Sequence, residues 1–297
     1  MNKKAIALGF FDGLHIGHAS LLNKVKQRAA ELGVEPAILT FDTHPDTLVQ
    51  KKAVMLISSP EERAYEVKRL FGIEEVISLH FDEEMMNMEW TDFIDRMAND
   101  YAAAHFVVGY DFRFGRGGIG SAQKLKFRCA EAGIGCDIMP EVRIDGITVS
   151  STYIRHLLET GDMDTARRFL GHPYSLTDTV SSGHRLGSEM GTPTINLHFP
   201  EGVLIPRFGV YATRVFIQGD DKDRFAVTNI GVRPTVSGDG VVSVESYILD
   251  FNKDIYGKKV RLEFYDFLRP ERKFSGVEEL KRQILTDAGR VREYFGI

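Results

Sequence analysis

The stretch Ile6-Ala7-Leu8-Gly9-Phe10-Phe11-Asp12-Gly13-Leu14-His15-Ile16-Gly17-His18 constrains this chain more than any other. A short apolar run suited to one buried strand breaks at Gly9. After a glycine-bearing turn, Leu21, Leu22, Val25, Ala29 and Leu32 recur at helical spacing. Two histidines therefore stand where a strand ends and a helix begins. Unpaired backbone N–H groups and the positive end of the helix dipole favour an anion there, and Gly13 and Gly17 let backbone approach it closely. His15 and His18 add donors to the same anion, and a nearby triphosphate favours their protonated forms. This chemistry points to nucleotide phosphate. A pair of capping or surface histidines is the plainer alternative, and a metal site lacks Cys or carboxylate partners at the usual spacing.

Residues 1 to about 160 continue in the same manner, short apolar runs alternating with helical patterns, which predicts a parallel sheet covered by helices. The strand candidates are Ala5–Leu8, Ala37–Phe41, Val76–Leu79, His105–Val108 and Cys136–Met139. Ser59-Pro60-Glu61-Glu62 reads as a helix start with an N-cap, an N1 proline and a capping-box glutamate, and Thr91 and Ser121 as caps of later helices. Ligands collect at the carboxyl ends of parallel strands, and the unusual segments fall there. They are the His15/His18 turn, Phe41-Asp42-Thr43-His44-Pro45, Gly109-Tyr110-Asp111-Phe112-Arg113-Phe114-Gly115 with the glycines that follow, and Val149-Ser150-Ser151-Thr152-Tyr153-Ile154-Arg155. Each alone is also an ordinary cap or turn; their convergence on one rim favours a phosphate site.

Ser151 to Leu170 reads as two short helices parted by Gly161-Asp162, with Asp162 capping the second. From Tyr174 onward β-branched and aromatic residues alternate with polar ones between glycine turns, predicting a compact antiparallel barrel or sandwich, and Ser275 to Phe295 returns to helical spacing. The change of pattern puts a domain boundary near residue 172, giving domains 1–172 and 173–297. Two segments of the second half carry chemistry. A glycine-rich run, Gly183 to Gly191, leads into Pro193-Thr194-Ile195-Asn196, and on an extended strand Thr194 and Asn196 share a face and offer neutral oxygens to Mg²⁺ or phosphate. The strand Val244-Glu245-Ser246-Tyr247-Ile248 holds one carboxylate able to take a proton from an attacking hydroxyl. A plain hairpin loop and a solvent-facing glutamate are the bland readings of the two.

Composition removes whole classes of function. A net charge of −5 without a long basic run gives no electrostatic case for nucleic acid, and no apolar run nears the length of a membrane span. Cys129 and Cys136 lack redox or zinc spacing, and the basic start Met1-Asn2-Lys3-Lys4 leads into a strand instead of a signal peptide. The expectation is a reduced, cytoplasmic protein without a membrane partner.

The set GFFDGLHIGH, TFDTHP, VGYDFRFG and VSSTYIR, with PTIN and VESYILDF, resembles the bacterial bifunctional riboflavin kinase/FAD synthetase family over nearly the whole chain. The resemblance implies a Rossmann-like α/β nucleotidyltransferase domain of the HxGH type followed by a small antiparallel β-barrel flavokinase domain with a C-terminal helix. It implies phosphorylation of riboflavin to FMN and adenylylation of FMN to FAD, with ATP as co-substrate and Mg²⁺ as cofactor. By this likeness His15 and His18 hold the ATP phosphates, and Ser151, Thr152 and Arg155 the triphosphate side. Gly9, Phe10, Gly17, Asp111 and Phe112 form the nucleotide pocket. Thr194 and Asn196 hold Mg²⁺ with ATP, Glu245 activates the ribityl hydroxyl, and Gly187, Gly191 and Arg269 complete the kinase site. The chain departs from the family's usual residues at Gly118, Ser121, Glu189, Thr192 and Tyr247. The alternatives are an FAD synthetase with a kinase-inactive barrel, a non-enzymatic flavin-binding regulatory protein, or another HxGH adenylyltransferase, which PTIN disfavours.

Overall fold

The alternation of Ala5 and Ala7 with Ile6 and Leu8 decides how the first half is layered, because successive side chains of a strand leave on opposite faces. In the computed structural model, which describes residues 2–51, 53–181, 192–233 and 241–297, both sets are buried. The elements of this half are β1 (Lys4–Leu8), α1 (Ile16–Leu32), β2 (Glu35–Phe41), α2 (Pro45–Val49), α3 (Pro60–Phe71), β3 (Glu75–Leu79), α4 (Glu83–Asn87), α5 (Trp90–Asp100), β4 (Ala103–Gly109), α6 (Ala122–Glu131) and β5 (Gly135–Met139). Ala5 and Ala7 pack with Leu22, Val25 and Ala29 of α1 and Val67 of α3. Ile6 and Leu8 pack with Phe93, Ile94 and Met97 of α5 and Leu125 of α6. A strand covered on both faces needs apolar residues throughout, which is why these strands read as continuous runs.

All five expected strands are present, each starting one or two residues earlier than its apolar run. They pair in parallel in the order β3-β2-β1-β4-β5. The order turns back between β1 and β4, so the crevice at their carboxyl ends is the place for a ligand. Ser59 caps α3 by accepting from Glu62 N at 3.1 Å, and Ser121 caps α6 from Lys124 N at 3.3 Å. Thr91 is not a cap. Arg116 N donates to Met88 O at 2.7 Å and Gly115 lies against Trp90, so the 88–90 segment is pinned and α5 starts at Trp90 behind Glu89.

Residues 1–151 form one compact unit and 152–297 a second. The second opens with α7 (Ser151–Thr160) and α8 (Met163–Leu170), the latter capped by Asp162 through Thr165 N at 3.1 Å. Arg207 N donates to Leu158 O at 3.0 Å and Arg207 Nη1 to Thr160 O at 3.2 Å, so α7 is fastened to the segment that feeds the next strands. Packing therefore groups residues 152–170 with the second unit, although the change of sequence pattern comes only near residue 172.

Among the described residues six antiparallel strands follow: β6 (Tyr174–Thr179), β7 (Thr194–Leu197), β8 (Gly209–Ile217), β9 (Arg224–Arg233), β10 (Val241–Ile248) and β11 (Lys259–Arg269). Their order is β6-β11-β8-β9-β10-β7. The sheet curls until its two edges meet, where Ser181 N and Oγ donate to Asn196 O at 3.1 and 3.2 Å. Inside, fully buried Thr213, Thr228 and Ser246 join their hydroxyls at 2.6 and 2.8 Å, which satisfies polar groups that burial would otherwise penalise. The C-terminal helix α9 (Val277–Phe295) lays Ala288 and Val291 on Val210, Ala212 and Val227 outside the barrel.

Candidate active sites

The turn after β1 is strained where it meets the crevice. Phe11, Gly13 and Leu14 have φ of 58°, 75° and 45°, in the left-handed region that costs an L-residue about 1–2 kcal/mol. Burial of the Phe11 and Leu14 side chains offsets that cost. The turn is held from a distance. Asp12 Oδ1 accepts from Ile57 N at 2.8 Å and Ser58 N at 3.2 Å, and Asp12 O accepts from Ser151 Oγ at 3.0 Å. Gly13 has no room for a side chain, since a Cβ there would lie 2.9 Å from Ile57.

Beyond the turn, His15 caps α1, its Nδ1 accepting from His18 N at 3.2 Å. The two imidazoles stack with centroids 3.6 Å apart and planes 11° from parallel. A Cβ at Gly17 would come within 3.1 Å of the His15 ring, so glycine there leaves the stack undisturbed. Burial holds the pKa of His18 well below the ordinary 6.5, and the neighbouring His15 and Arg63 push the same way. In the free protein His18 is thus neutral near pH 7.

A cavity of about 300 Å³ at this crevice is lined by Gly9, Phe10, His15, Gly17 and His18, by Asp111 and Phe112 after β4, and by Ser151. Eight residues expected at the nucleotide site meet there. Thr152 and Arg155 lie on the following helix, in the second unit. The glycine-rich continuation does not line the cavity. Arg113–Phe114 and Gly120–Ser121 pair as a small hairpin instead. Sequence reasoning missed Glu141, which also lines the wall and is held by Thr148 Oγ1 at 2.6 Å and Arg143 Nε at 2.8 Å. It missed Arg63 as well, whose Nη1 donates to Thr40 Oγ1 and Phe41 O, both at 2.9 Å, with its guanidinium 4.2 Å from the Phe10 ring centre. Pro60-Glu61-Glu62-Arg63 signals only a helix start, and nothing local tells that this helix docks on a turn some 45 residues earlier.

In the second unit, register brings the chemistry together. Asn196 of β7 lies directly opposite Glu245 of β10, and Glu245 opposite Asn229 of β9. Cross-strand partners share a face, so an amide, a carboxylate and a second amide stand in one row. Thr194, Glu245, Asn229 and Arg269 line a cavity of about 340 Å³ between this face and α9. Thr194 also lines a neighbouring cavity of about 390 Å³ walled by Phe251, Lys253 and Tyr256. Arg269 is not available as a simple cation there. Its Nε and Nη2 are held by buried Asp287 at 3.0 and 2.8 Å. Thr192 sits in the wall of the 340 Å³ cavity with its hydroxyl buried and without a hydrogen-bond partner among the described residues. Gly187, Gly191 and Glu189 lie outside the described residues. Hydroxyl, amide carbonyl and carboxylate oxygens make a hard donor set that suits Mg²⁺.

A doubly wound sheet carrying paired histidines at its first strand-to-helix turn, followed by a six-stranded barrel with a hydroxyl–amide–carboxylate row, defines a two-domain transferase. The family model described as FAD synthetase matches residues 1–153, and that described as riboflavin kinase matches residues 170–295. A bifunctional riboflavin kinase/FMN adenylyltransferase from Listeria monocytogenes is 33% identical over 294 residues, covering 98% of this chain and 92% of that protein. Proteins of the same description from Bacillus subtilis and Escherichia coli K12 are 32% and 30% identical, each covering 93% of the relative and 99% and 98% of this chain. The crystal structure of a macrolide-efflux protein from Streptococcus pneumoniae superposes with a TM-score of 0.85 at 28% identity, covering 98% of this chain and 94% of that one. No helix among the described residues is long and apolar enough to cross a membrane. The chain belongs to the bifunctional riboflavin kinase/FMN adenylyltransferase family, whose activities consume ATP.

Proposed function

We propose that this protein converts riboflavin to FMN in its second unit and FMN to FAD in its first, and that it does so in the cytoplasm with riboflavin, FMN and ATP as its partners. The observation that carries this reading is that each unit has its own cavity walled by its own motif residues. For FMN formation, Glu245 takes the proton of the ribityl hydroxyl as its oxygen bonds to the γ-phosphorus of ATP and the bond to ADP breaks. Thr194 supports this division of labour, because it borders both neighbouring cavities and so stands where two substrates meet. Asn196 and Asn229 flank Glu245 in register, the Asn229 amide donating to Glu271 at 3.2 Å. Thr194 and Asn196 would hold Mg²⁺ with ATP, which supplies charge neutralisation on the phosphates.

For FAD formation no base is required, since the FMN phosphate is already an anionic nucleophile. Its oxygen bonds to the α-phosphorus while the bond to the β-phosphate oxygen breaks, releasing pyrophosphate. The protein's task is alignment and stabilisation of the leaving group. His15, His18 and the α1 N-terminus supply donors, Ser151 lines the same cavity with its hydroxyl donated to Asp12 O, and Asp111 and Phe112 form the nucleotide pocket. His18, neutral when the site is free, gains a proton most readily when triphosphate is beside it.

Chromatographic product analysis tests the whole reading. Protein with ATP, Mg²⁺ and either riboflavin or FMN is expected to yield FAD from both. FAD from FMN alone would leave the barrel without kinase chemistry, and no product from either would support a flavin-binding regulatory protein.

A further inference from the structure

Arg63 keeps a buried guanidinium whose anion-gripping edge is empty. The residue is 1% exposed, and Nε and Nη2 have no hydrogen-bond partner among the described residues. Those two nitrogens carry the parallel N–H pair that grips a carboxylate or phosphate side-on. In three other arginines the same pair is filled. Arg28 holds Asp137 at 2.6 and 3.1 Å, Arg128 holds Asp95 at 3.2 and 2.8 Å, and Arg269 holds Asp287 at 3.0 and 2.8 Å. The charges of Asp12, Asp42 and Glu61 act on Arg63 from nearby, but none of the three carboxylates takes this edge.

The guanidinium is also fixed in place. Thr40 and Phe41 occupy Nη1, and Phe10, which lines the first cavity, covers one face. Thr40 Oγ1 in turn donates to Phe10 O at 2.8 Å, tying the ends of β1 and β2 together around the arginine. Close by, His18 Nδ1 is likewise buried without a hydrogen-bond partner among the described residues. Arg63 itself does not line the cavity, but an anion that reached this edge would complete it without breaking any existing hydrogen bond.

We infer that Arg63 is a phosphate-binding residue of the first unit, its Nε–Nη2 edge taking two oxygens of the pyrophosphate that leaves ATP. The inference rests on the reading of this cavity as the adenylyl-transfer site. It adds a cation on α3 to the set of residues around the histidine turn.

The test is calorimetric titration of inorganic pyrophosphate into the full-length protein, as wild type, Arg63→Lys, Arg63→Gln and Thr40→Val, with FMN adenylylation measured on the same preparations. Arg63→Lys keeps the charge but not the fork, and is expected to weaken pyrophosphate binding about tenfold, with Arg63→Gln weaker still. Thr40→Val removes the Thr40 hold on Nη1 and on Phe10 O but leaves the fork itself, and is expected to weaken pyrophosphate binding by about threefold, less than Arg63→Lys. Trp90 fluorescence verifies folding, and Arg63→Lys decides the matter should Arg63→Gln fail to fold. Affinity within about threefold of wild type for Arg63→Lys, or no binding of pyrophosphate by the wild type, overturns the inference. A wild type that forms no FAD while its pyrophosphate affinity still depends on Arg63 would refute the adenylyl-transfer reading and leave the phosphate site standing.

Discussion

Replacing Asp287 by alanine removes the pin between α9 and the end of β11. The carboxylate is fully buried and takes Arg269 Nε at 3.0 Å, Arg269 Nη2 at 2.8 Å and Gln283 Nε2 at 2.8 Å. Two charge-assisted hydrogen bonds at about 1.5–3 kcal/mol each give a loss of about 3–6 kcal/mol. Breaking a buried ion pair from one side typically costs about 3–5 kcal/mol. The Arg269 side chain keeps 16% exposure and recovers some hydration, so the lower end applies, about 3 kcal/mol. The chain's single tryptophan, Trp90, lies in the first unit, so urea unfolding followed by its fluorescence reports that unit alone, while far-UV ellipticity reports both. Asp287→Ala should shift the ellipticity phase that fluorescence does not share and leave the Trp90 midpoint unmoved. Because Arg269 lines the barrel cavity, the KM for riboflavin should rise as well. A shift below about 1 kcal/mol, or equal movement of the Trp90 transition, would refute the argument.

Glu245→Gln keeps the shape and the cross-strand contacts but not the base, so riboflavin phosphorylation should fall about 10²–10⁴-fold while FMN adenylylation continues; equal loss of both would count against separate sites. Gly13→Ala should destabilise the first unit by about 2–5 kcal/mol, from the left-handed backbone and the overlap with Ile57, read as a lower Trp90 midpoint. Adding Ile57→Ala should relieve only the steric part. For His18 the folded-state pKa is lowered, so neither state holds its proton above the ordinary 6.5 and the folded form is penalised as pH falls below it. Below that pH the unfolded chain binds a proton that the folded chain refuses, and stability falls by up to about 1.4 kcal/mol per pH unit until the lowered pKa is reached. The Trp90 midpoint of His18→Gln should therefore change less on acidification from pH 6.5 than that of wild type, and identical slopes would contradict the burial of a neutral imidazole.

Much of the fold was legible because its signals are local. Doubly covered strands announce themselves as apolar runs, and Ser59, Ser121 and Asp162 cap the helices their spacing predicts. Thr91 failed as a cap because the start of α5 is set by Arg116 and Gly115, which no spacing rule around residue 91 contains. The cavity residues His15, His18, Asp111, Phe112 and Ser151 were legible since they follow strand ends, where a parallel sheet collects its ligands. Arg63, Glu141 and Asp287 were not. Each owes its place to contacts between distant segments, and a lone charged residue on an amphipathic helix or loop carries the same letter whether it is solvated or buried.

Closure of the barrel at Ser181 and Asn196 has a consequence for how the protein breathes. β8 and β11 run beside each other through eight paired positions, whereas the ring is completed, among the described residues, by the Ser181–Asn196 bridge and by His198 N donating to Asp178 Oδ2 at 2.8 Å. Asn196 belongs to that seam, whereas Glu245 opposite it sits on a strand paired on both sides. Amide exchange should release Ser181 well before the β8–β11 ladder. Substrates that bind on either side of Thr194 would act as a clasp, slowing that exchange and lifting the melting temperature of the barrel in proportion to their occupancy.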